Sequence, residues 1–81
     1  MPAKVYPRWK EQLVWDDGET RLVFELTMGV EHVYFPTRQA WDGQVPDRVK
    51  HRYDVVLADI EAWCRKSKTP LTVEPHARVE T

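Results

Sequence analysis

The stretch Glu11–Leu26, EQLVWDDGETRLVFEL, constrains the fold of this chain more than any other. Asp17-Gly18 lies between two β-prone runs, and a dipeptide of this kind marks a hairpin. A type I′ turn on those two residues sets Asp16 opposite Glu19, Trp15 opposite Thr20 and Leu13 opposite Leu22. Leu13, Trp15, Leu22, Phe24, Leu26 and Met28 then share one face. A three-residue loop puts Leu13 opposite Arg21 and mixes apolar with charged positions. The alternation therefore favours the two-residue loop.

A second turn follows at Gly29-Val30, where Gly suits the first central position of a type II′ turn. It pairs Leu26 with Val33 and Phe24 with Phe35, extends the same apolar face, and ends at Pro36. The segment up to Val45 reads as a loop carrying Trp41. Pro46-Asp47 then starts a helix: proline has no N–H to lose in a first turn, and Asp47 suits the positive end of the dipole. Val49, Tyr53, Val56, Leu57, Ile60, Trp63 and Cys64 recur at i, i+3, i+4 spacing, which predicts one amphipathic helix running to about Ser67. Leu71–Glu74 reads as a fourth strand, confined to a sheet edge by Pro75.

The predicted fold is α+β: a two-layer β-β-β-α-β arrangement, with a small, mainly antiparallel sheet and one helix on one face. The 81 residues form one domain, with about 1–8 and 76–81 expected as tails. A chain this short buries only about 60% of its unfolded surface, so its 4 Trp, 3 Tyr and 2 Phe matter for the core.

Composition argues against most enzyme classes. A net charge of −1 lacks the basic excess of a dedicated nucleic-acid binder. The one cysteine, Cys64, cannot form an internal disulfide, and at a helix C-terminus it is a poor nucleophile. The one serine, Ser67, lacks a G-x-S-x-G setting, and the 3 glycines are accounted for by turns rather than a phosphate loop. His32, His51 and His76 do not have metal-ligand spacing. The expectation is no catalysis, no metal and no cofactor. The N-terminal residues contain no apolar signal segment and no run is long enough to span a membrane, so a cytoplasmic setting is expected. The absence of Asn beside seven Arg is the usage expected of a GC-rich bacterial genome.

Two surfaces are candidate sites. One is the start of the helix, where Arg48, Lys50, His51 and Arg52 lie against the dipole, with Arg38 and Trp41 nearby. Such a group suits an anion or nucleic acid; the plainer alternatives are a solvated helix flank, and Trp41 as a lid on the core. The other is the sheet face away from the helix, where the registers place Val14, Val23, His32 and Tyr34. An apolar centre on an uncovered face suits a homodimer or another protein partner. A binding module using that face is the leading expectation, and a nucleic-acid or phosphate-binding accessory protein using the basic group is the alternative.

Overall fold

The computed structural model describes residues 3–8, 11–27 and 29–81. The fold is α+β, with a mostly antiparallel six-stranded sheet. Strands β1 (Lys4–Arg8), β2 (Gln12–Asp16), β3 (Arg21–Thr27) and β4 (His32–Pro36) form an antiparallel meander. Helical segments α1 (Arg38–Asp42), α2 (Asp47–Lys50) and α3 (Tyr53–Ser67) follow. The chain returns as β5 (Leu71–Glu74), parallel to β4 at the sheet edge, and β6 (Val79–Glu80), antiparallel to β3.

The apolar face is the expected one. Leu13, Trp15, Leu22, Phe24, Leu26, Val33 and Phe35 are all buried and form one cluster with Val49, Tyr53, Val56, Ile60 and Cys64. Met28, expected on this face, lies outside the described residues. The β3–β4 register is as read: Leu26 pairs with Val33, and Gly29 sits at φ +92°.

The β2–β3 register differs. Trp15 pairs with Leu22, Leu13 with Phe24, and Asp16 with Arg21, which leaves a four-residue loop, Asp17–Thr20. Only Gly18 has positive φ there, so this is not a type I′ turn. The Asp17 carboxylate makes the difference: Oδ1 accepts from the N–H groups of Glu19 (2.9 Å) and Thr20 (2.7 Å). A side chain that satisfies backbone donors holds a longer loop closed. Because the register moves by two residues, every side chain keeps its face.

The helix also differs from expectation. It breaks at His51 and Arg52, whose ψ angles are −6° and 7°. The chain turns tightly there, with Arg52 N–H donating to the Val49 carbonyl at 2.9 Å. Val49 and Val56 both stay in the core. Trp41, expected in a loop, lies in α1, which is capped by Thr37 Oγ1 accepting from Ala40 N–H. The segments expected as tails also carry structure: Lys4–Arg8 is an edge strand, and Val79 is buried beside Phe24. Among the described residues no helix is long and apolar enough to cross a membrane.

Candidate functional site

The basic residues that are close in sequence have separate, mainly structural partners. Arg52 forms an ion pair with Asp17 and lies over the Trp15 ring at 5.0 Å. Trp15 in turn donates from Nε1 to Asp59 Oδ2 of α3 at 2.9 Å. Arg48 donates to Thr20 Oγ1 at 2.7 Å. Together they clamp the β2–β3 loop to the helical layer. The loop N–H groups and Arg52 hold the Asp17 carboxyl well below its usual range, at about 2. Lys50 Nζ lies 2.8 Å from Asp47 Oδ1, and this contact lowers the Asp47 pKa and raises that of Lys50. His51 is exposed. Arg38 lies over the Tyr53 ring at 5.5 Å.

Trp41 is fully buried. Its ring is 6.0 Å from Phe35 and 5.4 Å from Tyr53, and Nε1 donates to the Lys50 carbonyl at 3.1 Å. Tyr53 donates to the Pro36 carbonyl at 2.8 Å, and burial raises its phenol pKa. Cys64 is buried, which pushes its thiol pKa up, with Glu61 adding to the effect. Trp41 presents no surface to a ligand, and Cys64 shows only a small part of itself, in a shallow cleft beside Arg65, Lys68 and Leu71.

The second candidate surface is more coherent. The core cluster takes one side of β2, β3 and β4, and no helix among the described residues packs on the other. The observed registers arrange that other side in levels across the strands. Lys4, Asp16 and Arg21 form the first; Tyr6, Val14, Val23 and Glu80 the second; Arg8, Gln12, Glu25, Tyr34 and Thr72 the third. Thr27 and His32 lie beyond.

Val14, expected at the open centre of this face, has no exposed surface, so it is packed within the chain and offers nothing to a partner; Val23, His32 and Tyr34 are half-buried. His32 stacks on Tyr34 with ring centroids 4.6 Å apart, and its Nε2 lies 2.6 Å from Thr72 Oγ1. Arg8 Nε donates to Gln12 Oε1 at 2.9 Å. Where β4 leaves β3 and β6 takes its place, a cleft of about 290 Å³ is lined by Glu11, Gln12, Glu25, Arg78 and Glu80.

Sequence reasoning missed Lys4, Tyr6 and Arg8 because Pro7 interrupts their strand. Pro7 is compatible with a strand at the edge, and the alternation of Val5 and Tyr6 was the available signal. Comparison with protein families, with characterised proteins and with solved structures finds no match for this chain.

Proposed function

We propose that this chain is a small, non-enzymatic interaction module that docks through the uncovered face of its sheet, and that the occupant is a second copy of the chain. The carrying observation is the asymmetry of the sheet: three helical segments accompany a core on one side, and among the described residues none covers the other. The uncovered side combines Tyr6, Val23 and Tyr34 with charges: Lys4 and Arg8 on β1, an Asp16–Arg21 ion pair across β2 and β3, and Glu25 and Glu80 on β3 and β6. Charges of opposite sign at opposite ends of one face are complementary to the same face turned around.

The face is small. Five strands about 4.8 Å apart, each with about five residues at 3.4 Å rise, present about 24 by 17 Å. That is at the low end for a specific interface, so the dimer is weak, concentration-dependent and further weakened by salt. The buried thiol suits the reducing setting of a cytoplasmic protein. A nucleic-acid role through Arg38, Trp41, Arg48, Lys50, His51 and Arg52 has less support, since Trp41 is buried and Arg48 and Arg52 hold the loop.

Replacing Val23 by Glu tests the reading. The side chain is on the uncovered side, so the fold survives and circular dichroism is unchanged. Self-association, followed by light scattering after size exclusion, weakens about tenfold or more because a charge enters the contact. An unchanged molar mass at every concentration shows that this face is not the interface.

A further inference from the structure

Apart from its uncovered face, the sheet has an open edge at β5. In a parallel ladder only every second residue of a strand bonds to a given neighbour; the residues between turn their N–H and C=O groups the other way. Val33 pairs with Leu71 and its N–H donates to the Pro70 carbonyl at 2.9 Å, so Pro70, Thr72 and Glu74 are the residues turned toward β4. The N–H and C=O groups of Leu71 and Val73 therefore point outward, and β5 is the last strand on that side of the sheet. The opposite edge, β1, carries Lys4 and Pro7, residue types that discourage a further strand. On β5 the outward residues are apolar, and Val73 is 43% exposed although Val33 and Phe35 beside it are buried.

We infer that this edge binds the free C-terminus of another protein as an added strand, antiparallel to β5. Main-chain bonds of this kind hold an extended peptide, and pockets along the edge select its alternate side chains. The last residue of the peptide lies opposite Leu71: its N–H donates to the Leu71 carbonyl, and a carboxylate oxygen accepts from the Leu71 N–H. The residue two before it makes the corresponding pair of bonds with Val73. Both of these side chains share the face of Leu71 and Val73, on the α3 side. The last one enters the shallow cleft between the end of α3 and the start of β5, against Cys64, Pro70 and Leu71, and the other covers Val73. Both are therefore apolar. The residue between them is polar, because it lies on the other face beside Thr72, whose Oγ1 is 2.6 Å from His32 Nε2.

The start of β5 selects both a chain end and its direction. The ladder stops at Leu71. Pro70 has no N–H and gives its carbonyl to Val33, and the Thr69 N–H donates to the Cys64 carbonyl at 2.9 Å. A strand that runs on past Leu71 finds no further backbone partner, whereas one that ends there loses nothing. At the same end Arg65 and Lys68 line the cleft, exposed and in no ion pair among the described residues. Glu61 also lines it, and offsets one of the two positive charges. The other remains for the carboxylate, as a charge-assisted hydrogen bond. The far end of β5 carries Glu74, which repels a carboxylate, so the peptide does not bind in the opposite direction.

A second copy of the chain fits this edge less well. Pairing β5 with β5 about Thr72 makes the same backbone bonds, but it brings Pro75 rather than a carboxylate toward Arg65 and Lys68. A contact of 4 residues a side also buries far less than a stable dimer needs.

Fluorescence anisotropy with an N-terminally labelled peptide, Gly-Gly-Ser-Val-Thr-Leu, tests the site on the full chain. The free acid should bind with a Kd on the order of 100 µM, and the same peptide with a C-terminal amide about tenfold or more weakly. Lys68→Glu, at an exposed position, should weaken the free acid about tenfold and leave the amide unchanged. Val73→Pro removes an outward N–H that bonds to nothing in the ladder, and should weaken both peptides, with circular dichroism confirming the fold. Val23→Glu, on the uncovered face, should change neither, which separates this site from the docking reading above. A free acid that fails to bind at about 1 mM overturns the site. Acid and amide that bind equally overturn the chain-end assignment, and binding that ignores both Lys68→Glu and Val73→Pro overturns the location. A molar mass of the chain alone that falls with Val73→Pro, and that the peptide does not alter, gives the edge to a second copy and overturns the inference.

Discussion

Trp41→Ala removes a large share of the stability of this domain. The ring is fully buried, packs against Phe35 and Tyr53, and donates to the Lys50 carbonyl. Truncating a buried tryptophan to alanine costs about 3–5 kcal/mol. At about 0.05–0.15 kcal/mol per residue, a domain of this length has only about 4–12 kcal/mol in total. Urea unfolding of the variant should show a midpoint lowered by a quarter or more, or no folded baseline at all. Trp41→Phe separates the two contributions. It keeps an aromatic ring between Phe35 and Tyr53 but loses the indole donor, and costs about 1–3 kcal/mol. A tryptophan displayed for an external partner would behave differently, with a change within about 0.5 kcal/mol.

Asp17→Ala has the next largest effect. One carboxylate accepts from two loop N–H groups and pairs with Arg52, and only 12% of its side chain is exposed. Hydrogen bonds to charged groups contribute about 1.5–3 kcal/mol each, and the three are not additive, so the loss is about 2–3 kcal/mol. Asp17→Asn keeps an acceptor for the loop and loses the charge, so it sits between Asp17→Ala and the unmodified chain.

The same group imposes a pH dependence. Its pKa falls from 3.8 to about 2 on folding, first through the Thr20 N–H and then through Arg52. The unfolded chain therefore takes up the proton first as pH falls. The contribution of Asp17 is complete above about pH 5 and is lost progressively between about pH 5 and pH 2. The urea midpoint of the unmodified chain should drop across that window, and Asp17→Asn should remove part of the slope. An identical slope in both would show that Arg52 and the loop do not hold this carboxylate in the folded state.

These effects mark where local pattern was informative. The apolar face from Leu13 to Phe35 was legible because alternation fixes a face independently of loop length. A register error of two residues at Asp17-Gly18 left every core assignment intact. The Leu71–Glu74 strand was legible from its β-prone run between two prolines. The error at the loop arose because the Asp17 side chain acts as part of the backbone network, which turn preferences based on φ alone do not capture. The break at His51–Arg52 was hidden because the helical spacing of Val49, Tyr53 and Val56 survives it.

The site was less legible than the fold, and for a different reason. Arg48 and Arg52 find partners 28 and 35 residues away, at Thr20 and Asp17. Nothing in the run RVKHR indicates that two of its cations are committed to a distant loop. Val23, His32 and Tyr34 were placed on the uncovered face by alternation alone. Their neighbours Tyr6 and Arg8 were not, since Pro7 conceals the strand that carries them. The two-residue β6 is too short to produce any periodic signal, yet it brings Glu80 beside Val23.

Sedimentation equilibrium of the unmodified chain, from about 10 µM to about 1 mM and at low and high salt, decides whether a second copy occupies the uncovered face. The weight-average mass should rise with concentration from 9.6 kDa toward twice that value, and rise less at high salt. A mass of 9.6 kDa throughout the range would refute self-association and leave the uncovered face without a second copy to fill it.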